Sequence, residues 1–244
     1  MAEGLPSGPL AGIGVVVIGD EILSGRRRDR HLAAVTDRLS ARGRVVDWAQ
    51  FLPDRSDTIV DLLRRSRADG ATVFCFGGIG ATPDDLTRAC AATAFERPLR
   101  RHAEAVGLIE SRFGAAAYPK RVLMADLPEG ATLLPNPVNQ VPGFALERHF
   151  FLPGFPEMAH AMLDGILAGP LADLGDPGYV ERSLWLRDTP ESELMDLMDA
   201  FCVAYPTLKL FSLPVLSGER RLLELGLKGE REHVEQAMVD LENA

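Results

Sequence analysis

Three short apolar runs alternate with segments of helical periodicity in the first hundred residues. The runs are Ile13–Ile18, residues 45–51 and residues 71–76. Continuous β-branched runs are typical of strands buried on both faces of a parallel sheet. The resulting β-α-β-α-β-α order predicts a doubly wound α/β sheet.

A glycine-rich stretch, FGGIGATPDDLT, follows the third run. Gly77, Gly78 and Gly80 allow the backbone to turn sharply and to approach a ligand closely, because they lack a Cβ atom. Thr82 and Pro83 are typical of the N-cap and the first residue of a helix. Backbone N–H groups at a helix start favour anions, so the stretch predicts a phosphate seat.

Two carboxylates, Asp84 and Asp85, come directly after this seat. With a diphosphate they would suit a divalent cation, because hard cations prefer oxygen ligands. Alternatively, Asp85 closes a capping box with Thr82, although a cap does not require the glycines. The stretch is not a GxGxxG fingerprint after a first strand, and it lacks the GK[ST] of a Walker A loop.

Polar residues also follow the first two runs. Ligands collect at the carboxyl ends of strands in open α/β sheets, which makes Asp20, Glu21 and Ser24 candidates for a site. The alternative is an acidic loop that ends in a serine turn. Asp54 is either a helix-start carboxylate or a second acid beside a metal or phosphate. The arginines of GRRRDR form either a solvated face or an electropositive rim.

Composition restricts the class of protein. The formal net charge of −9 argues against extended nucleic-acid binding, and no apolar run reaches the length of a membrane span. The three cysteines are far apart, which indicates buried thiols in a reduced, cytoplasmic protein. The histidines have no zinc-site spacing.

The chain is expected to contain two domains. Residues 1–11 are expected to be a disordered leader, and residues 12–167 the α/β domain. A Pro- and Gly-rich linker is expected at residues 168–178. Residues 179–244 follow the order β-α-β-β-α, which predicts a small α+β domain without an evident chemical site.

Four motifs resemble the molybdopterin-binding (molybdenum-cofactor biosynthesis, MoaB/Mog-like) domain family. They are GDEILSG, GGIGATPDDLT, the segment from Asn136-Pro137 to Pro142-Gly143-Phe144, and LPGFP, and they occur in the family's order. The resemblance is strongest to the N-terminal part of competence/damage-inducible protein A (CinA), and the tail resembles the small domain that follows in CinA.

The resemblance implies a three-layer α/β/α fold with a ligand pocket at the glycine loop. In cofactor-making relatives this pocket holds molybdopterin. In CinA-like relatives the domain cleaves pyrophosphates such as ADP-ribose with a divalent metal, and a flavin-enzyme relative hydrolyses FAD. It also implies a homo-oligomer.

The resemblance further implies roles for individual residues. Asp54 and Asp85 would be catalytic, and Asp20 would join them in holding a metal. The expected ligand- and phosphate-binding residues are Gly19, Asp20, Glu21, Ser24, Gly77, Gly78, Gly80, Thr82, Asp84, Thr87, Asn136, Pro142 and Gly143.

The chain also departs from the family pattern. It stops at residue 244, so we expect the nicotinamide-mononucleotide deamidase domain of full-length CinA to be absent. Asp29-Arg30 replace Thr-Asn, Asn139 replaces a glycine, and Ala81 replaces a proline that often follows the last loop glycine. These changes concern ligand contacts.

Two main hypotheses remain open at this point. The first is a binding module for a pterin- or nucleotide-phosphate ligand. The second is a Mg²⁺-, Mn²⁺- or Co²⁺-dependent pyrophosphatase that releases AMP, with loop N–H groups stabilising the developing charge. A third hypothesis is an interaction protein with a decayed pocket, against which the retained carboxylates argue.

Overall fold

The computed structural model of the chain describes residues 10–174, 178–217 and 220–244. These divide into two compact units. The first is formed by the chain up to Leu174 without residues 41–44, and the second by those four residues together with the chain beyond Leu174. The expected leader falls largely on residues 1–9, and the expected linker includes residues 175–177, all outside the described residues. The domain bounds therefore stay a prediction.

The first unit is built from alternating strands and helices. Their bounds are β1 (Ile13–Ile18), α1 (Asp20–Leu23), α2 (His31–Ser40), β2 (Trp48–Leu52), α3 (Ser56–Ala68), β3 (Thr72–Phe76), α4 (Thr87–Ala94), β4 (Leu99–Arg101), α5 (Ala103–Phe113), β5 (Asp126–Pro128), β6 (Thr132–Leu134), β7 (Gly143–Leu146), β8 (His149–Leu152) and α6 (Pro156–Ala168). Two 3₁₀ turns, Gly114–Ala117 and Arg121–Ala125, lie between α5 and β5.

A six-stranded sheet in the order β2-β1-β3-β8-β7-β6 forms the centre of this unit. The first four strands in that order are parallel, whereas β7 and β6 form an antiparallel hairpin at one edge. Every residue of β1 and β3 is buried, as expected for strands covered on both faces.

Two apolar layers cover the sheet. On one face Val16 and Cys75 pack in a cluster with residues of α3, α4 and α5. On the other face Val15 and Phe74 pack with residues of α2 and α6. The predicted three-layer α/β/α fold with a mostly parallel sheet is therefore confirmed.

Packing determines two features that the sequence prediction missed. The second strand begins at Trp48 rather than at residue 45, and the Trp48 indole lies over Gly14, where a Cβ atom would be 2.1 Å from the ring. The prolines and the glycine before Phe144 are typical of a rigid loop, but Gly143–Leu146 form the strand β7. Only glycine fits at Gly143, since a Cβ there would lie 2.4 Å from the Phe151 carbonyl oxygen.

Leu10 also differs from its prediction. It was placed in the disordered leader, but it is buried in the cluster around Val16. Its N–H donates to the Asp69 carboxylate at 2.7 Å, and its carbonyl accepts from the Trp48 indole at 3.1 Å. The end of the expected leader is thus part of the core.

The second unit has the predicted β-α-β-β-α order. Its elements are β9 (Tyr179–Arg187), α7 (Met195–Ala204), β10 (Lys209–Ser217), β11 (Arg220–Glu230) and α8 (Arg231–Glu242). The strands form an antiparallel sheet in the order β10-β11-β9. Leu225 and Leu227 of β11 pack with Phe201 of α7 and with Val234 and Met238 of α8.

The cysteines only partly follow their prediction. Cys75 and Cys90 are buried free thiols, whereas Cys202 is exposed. Within the described residues, no helix is long and apolar enough to cross a membrane. The cytoplasmic location stays a prediction.

Candidate functional site

A pocket of about 430 Å³ lies at the carboxyl ends of the parallel strands. The residues that follow β1, β2, β3 and β8 all contribute to it, as does the loop between β6 and β7. A larger cleft of about 650 Å³ lies beside β6 and α6, but it contains none of the predicted site residues. The strand-end pocket is therefore the candidate site.

The glycine loop forms one wall of the pocket. Gly77 and Gly78 have φ angles of +99° and +69°, which residues with a Cβ atom rarely adopt. A Cβ atom on Gly77 would also lie 2.3 Å from the Ile18 carbonyl oxygen. These glycines are therefore required by the turn that brings the loop from β3 to the pocket.

The Asp85 side chain stabilises this loop by hydrogen bonds to its own loop neighbours. Its carboxylate accepts hydrogen bonds from the N–H of Gly80 at 2.9 Å, from the N–H of Thr82 at 2.8 Å and from Thr82 Oγ1 at 2.5 Å. A Cβ atom on Gly80 would lie 2.4 Å from Asp85 Oδ2, so glycine makes room for the carboxylate. Two N–H groups of the predicted phosphate seat are thus already occupied.

The helix predicted to start at Pro83 is wrong. Residues 82–86 form a turn, and α4 begins only at Thr87, with Leu86 at its N-cap. The alternative of a Thr82–Asp85 capping box is met only in part, because the Asp85 carboxylate accepts from the Thr82 N–H as in such a box but no helix begins there. Thr87 is fully buried, and its hydroxyl donates to the Gly77 carbonyl at 2.9 Å, so it anchors the loop from behind.

Arg88 holds the same loop from its buried side. The residue is 8% exposed, and its guanidinium donates to the carbonyls of Ile79 at 3.2 Å and Gly80 at 2.7 Å. It also donates to the carbonyls of Leu123 at 2.6 Å and Asp126 at 3.1 Å. One side chain therefore ties the glycine loop to the segment that carries Met124, another residue of the pocket wall.

An acidic rim forms where β1 and β2 end. The Asp20 N–H donates to Asp54 Oδ2 at 2.9 Å, and the Asp54 N–H donates to Asp20 Oδ1 at 3.4 Å. Burial raises the pKa of Asp54, and the nearby charges of Asp20, Glu21 and Asp84 raise it further against the opposing Asp20 hydrogen bond. Asp54 therefore gives up its proton less readily than a free aspartic acid.

The three predicted metal ligands do not form one cluster. Asp20 and Asp54 are paired, whereas the Asp85 carboxylate is committed to its own loop. Within the described part of the chain, no group of three His, Cys, Asp or Glu side chains is placed to hold a metal ion. The residues present do not fit a cation held by protein ligands alone.

The predicted site residues as a whole separate into two groups. Those that line the pocket are Gly19, Glu21, Asp54, Gly77, Gly78, Gly80, Thr82, Asp84, Asp85, Asn136 and Pro142. Those that do not are Asp20, Ser24, Thr87 and Gly143. Ser24 is exposed at the end of the one-turn helix α1, and Gly143 is buried in β7.

Asn136 has a mainly structural role in this geometry. Its side-chain amide donates to the Val141 carbonyl at 3.0 Å, and its side-chain oxygen accepts from the Val138 N–H at 3.0 Å. The loop between β6 and β7 is thereby closed on itself. Asn139, where relatives usually have glycine, lines the pocket from this loop.

Several pocket residues were missed by sequence reasoning. Phe113, which packs against the apolar cluster around Val16, also lines the pocket, and so do Met124 and Met158. Arg27 is the member of the arginine run that reaches the pocket, and its Nη1 atom lies 3.8 Å from Glu21 Oε1. Met124 lies in the 3₁₀ turn Arg121–Ala125, a segment without a sequence signal for a site, whereas an electropositive rim is one of the two predicted alternatives for the arginine run.

Comparison with known proteins identifies the family. Residues 14–173 match the family described as "Probable molybdopterin binding domain". The chain belongs to this family. The predicted resemblance to molybdopterin-binding domains is thereby confirmed, and the matched region contains the whole candidate pocket.

Individual relatives of this molybdopterin-binding family member include CinA-like proteins. A CinA-like protein of Citrifermentans bemidjiense is 31% identical over 81% of this chain and 52% of its own length. A protein of Pyrobaculum calidifontis is 30% identical over 75% of this chain and 73% of its own length. The chain therefore spans about half the length of the CinA-like relative.

The fold is also found in a solved structure. It is the crystal structure of CinA from Thermoplasma acidophilum, which is described as a protein of unknown function. The match covers 67% of this chain and 98% of the CinA chain. Its TM-score is 0.60 at 28% identity. The predicted similarity to CinA is thus confirmed at the level of fold.

Proposed function

We propose that the strand-end pocket binds a small ligand that joins a ring system to a phosphate or diphosphate group. The observation that carries this proposal is the pairing of two kinds of wall in one pocket. The glycine loop offers backbone N–H groups, and other lining residues offer apolar side chains. Family membership adds a pterin phosphate of the molybdopterin type to the expected ligands.

The N–H groups of the loop supply the anion-binding part. Within the described residues, the N–H groups of Gly78, Ile79 and Ala81 have no protein acceptor. All three residues line the pocket. Backbone N–H groups bind a phosphate group well because they are fixed donors that carry no counter-charge of their own.

The apolar side chains supply the ring-binding part. Phe113, Met124, Val141 and Met158 line the pocket. Apolar and sulfur-containing side chains gain free energy when they cover the faces of an aromatic ring. A ligand with both a ring and a phosphate would use both walls, whereas free phosphate would use only one.

Equilibrium binding tests this proposal. We would titrate the protein with ADP-ribose, FAD and anaerobically released molybdopterin by calorimetry. Val141→Trp should fill the pocket and weaken binding at least about tenfold, whereas Val239→Trp, at an exposed site on α8, should leave the affinity unchanged. If the wild-type protein binds none of the three probes, the proposal is wrong.

A second candidate function is hydrolysis of the diphosphate. It is favoured by Asp54, a carboxyl group with a raised pKa at the pocket rim, since such groups can accept a proton from water. Attack of water on phosphorus would break the anhydride P–O bond of ADP-ribose and yield AMP and ribose 5-phosphate. No step is assigned to a cation, because the described residues do not assemble a cation site.

AMP release separates the two candidates. ADP-ribose and FAD would be incubated with the protein and Mg²⁺, Mn²⁺ or Co²⁺, with EDTA as the control. A hydrolase should release AMP, and Asp54→Asn should abolish release without weakening ADP-ribose binding. If the protein binds ADP-ribose but releases no AMP with any of the three metals, the binding function is supported and the hydrolase is rejected.

A further inference from the structure

Arg88 is an unusual residue for the interior of this protein. It is buried at the start of α4, yet within the described residues its guanidinium contacts no carboxylate. The nearby Asp126 side chain is instead paired with Arg101, at 2.5 Å from Nε. A buried charge held only by carbonyl groups is expensive to retain, which calls for a role beyond packing.

Its hydrogen bonds fix two successive peptide planes of the glycine loop. The Ile79 carbonyl belongs to the peptide that carries the Gly80 N–H, and the Gly80 carbonyl to the peptide that carries the Ala81 N–H. In a trans peptide the C=O and N–H bonds point in opposite directions. Both N–H groups are therefore directed away from the buried guanidinium.

The N–H groups of Gly80 and Ala81 differ in their hydrogen bonding. The Gly80 N–H donates to Asp85 Oδ1 at 2.9 Å. The Ala81 N–H has no acceptor within the described residues, and Ala81 lines the pocket. The side of the peptide that faces away from Arg88 is thus the side on which a ligand can bind.

We propose that Arg88 is a positioning residue that presents the Ala81 N–H to the pocket, and that a phosphate group of the ligand binds there. This inference rests on the proposed function and adds to it the position of the phosphate.

The charges around the loop support the same assignment. Asp84 and Asp85 would repel a phosphate group, whereas Arg88, which is buried behind the glycine loop, would attract it. Its attraction acts through a poorly solvated interior and is screened less than that of an exposed arginine. Arg88 thus acts on the phosphate through both the orientation of a peptide and its charge.

Four variants and two probes test this inference. The variants are Arg88→Met, Arg88→Lys, Ala81→Pro and the double variant Arg88→Met/Ala81→Pro. The probes are ADP-ribose and, as a phosphate-free reference, adenosine. Arg38→Met serves as the control, because Arg38 is a partly buried arginine of the same unit that pairs with Asp164 and does not line the pocket.

Arg88→Met and Ala81→Pro should each weaken ADP-ribose binding about tenfold and leave adenosine binding unchanged. Ala81→Pro removes the N–H that binds the phosphate, and Arg88→Met releases the peptide that presents this N–H. The double variant should bind no more weakly than Arg88→Met alone, because both changes remove the same contact. Arg88→Lys should recover part of the affinity, since it keeps the charge. Arg38→Met should affect neither probe.

Three outcomes would overturn the assignment. Equal weakening of both probes by Arg88→Met would show a purely structural role. Unchanged ADP-ribose binding in Ala81→Pro would remove the Ala81 N–H from the site, and this variant decides the question even if Arg88→Met does not fold. Wild-type protein that fails to bind ADP-ribose and the other probes would reject the proposed function itself, whereas intact wild-type binding with unaffected variants rejects only this inference.

Discussion

Two aspartates at the same pocket have opposite surroundings. Asp85, in the glycine loop, accepts three hydrogen bonds from Gly80 and Thr82. Asp54, after β2, accepts a single bond from the Asp20 N–H and faces the charges of other acids. The Asp85 carboxylate is thus tied into its loop by hydrogen bonds, whereas burial and the neighbouring acids raise the pKa of Asp54.

This difference separates a structural carboxylate from a functional candidate. Asp85 lowers the free energy of the folded loop, so its presence is explained by stability alone. Asp54 raises the free energy of the folded state when it is ionised, and residues that are retained at such a cost are concentrated at functional sites. The resemblance implies a catalytic role for both residues, which stays a prediction, and the hydrogen bonds of Asp85 account for its presence without such a role.

The largest effect should come from Asp85→Ala. It leaves two loop N–H groups and a hydroxyl without their acceptor, which should lower the free energy of unfolding by about 2 kcal/mol. Urea denaturation would measure the change. Asp84→Ala, at the exposed neighbouring position, is the matched control and should have little effect.

Comparable stability of the Asp85 and Asp84 variants would contradict this prediction. It would mean that the loop keeps its shape without the Asp85 carboxylate. Asp85 would then not differ from Asp54 by stabilising the fold.

A smaller effect is expected for Thr82→Val. The substitution removes the hydroxyl that donates to Asp85 Oδ2 but keeps the backbone N–H that donates to the same atom. The free energy of unfolding should fall by about 1 kcal/mol or less. Thr93→Val is the control, since that exposed hydroxyl donates only within its own helix. If the free energy of unfolding fell as much as in Asp85→Ala, the Thr82 hydroxyl alone would account for the stabilisation of the loop by Asp85.

The smallest effect, and one of opposite sign, is expected for Asp54→Asn. The pKa of Asp54 is raised above its ordinary value of 3.8, so the folded protein holds this proton more tightly than the unfolded chain. Wild-type stability should therefore fall as the pH rises from 3.8 through the folded-state pKa.

Asp54→Asn removes this pH dependence. At neutral pH the variant should be more stable than the wild type, by less than about 1 kcal/mol because solvent screens the partly exposed side chain. Below pH 3.8 the two proteins should be equally stable. Urea denaturation across this pH range would check it, and a variant less stable than the wild type at neutral pH would reverse our account of Asp54.

The central fold was predictable because its signals are local. Ile13–Ile18 and the run that ends at Phe76 are continuous apolar segments, and each matches an observed strand within one residue. β7 was missed because Gly143 and its prolines look like a loop in isolation. Its strand conformation depends on pairing with β8 and on close contact with Phe151.

The pocket was predictable only where strands end. Glu21, Asp54 and the glycine loop follow apolar runs, and the rule that ligands bind at strand ends placed them together. The start of α4 was predicted incorrectly because Asp85 accepts hydrogen bonds from loop N–H groups rather than from helix N–H groups. Residue types alone do not show which of these groups a carboxylate will bind. Arg88 gave no signal, since a single arginine in a helix is ordinary.

The antiparallel hairpin of β6 and β7 has a consequence for how this pocket can evolve. Its loop reaches the pocket, yet Asn136 closes that loop on itself, and the pairing of Leu134 with Gly143 ends the ladder beneath it. Insertions or deletions between those two residues would reshape the mouth of the pocket without altering strand register. Changes in the length of the hairpin loop could therefore alter the ligand specificity of related chains while the sheet stays unchanged.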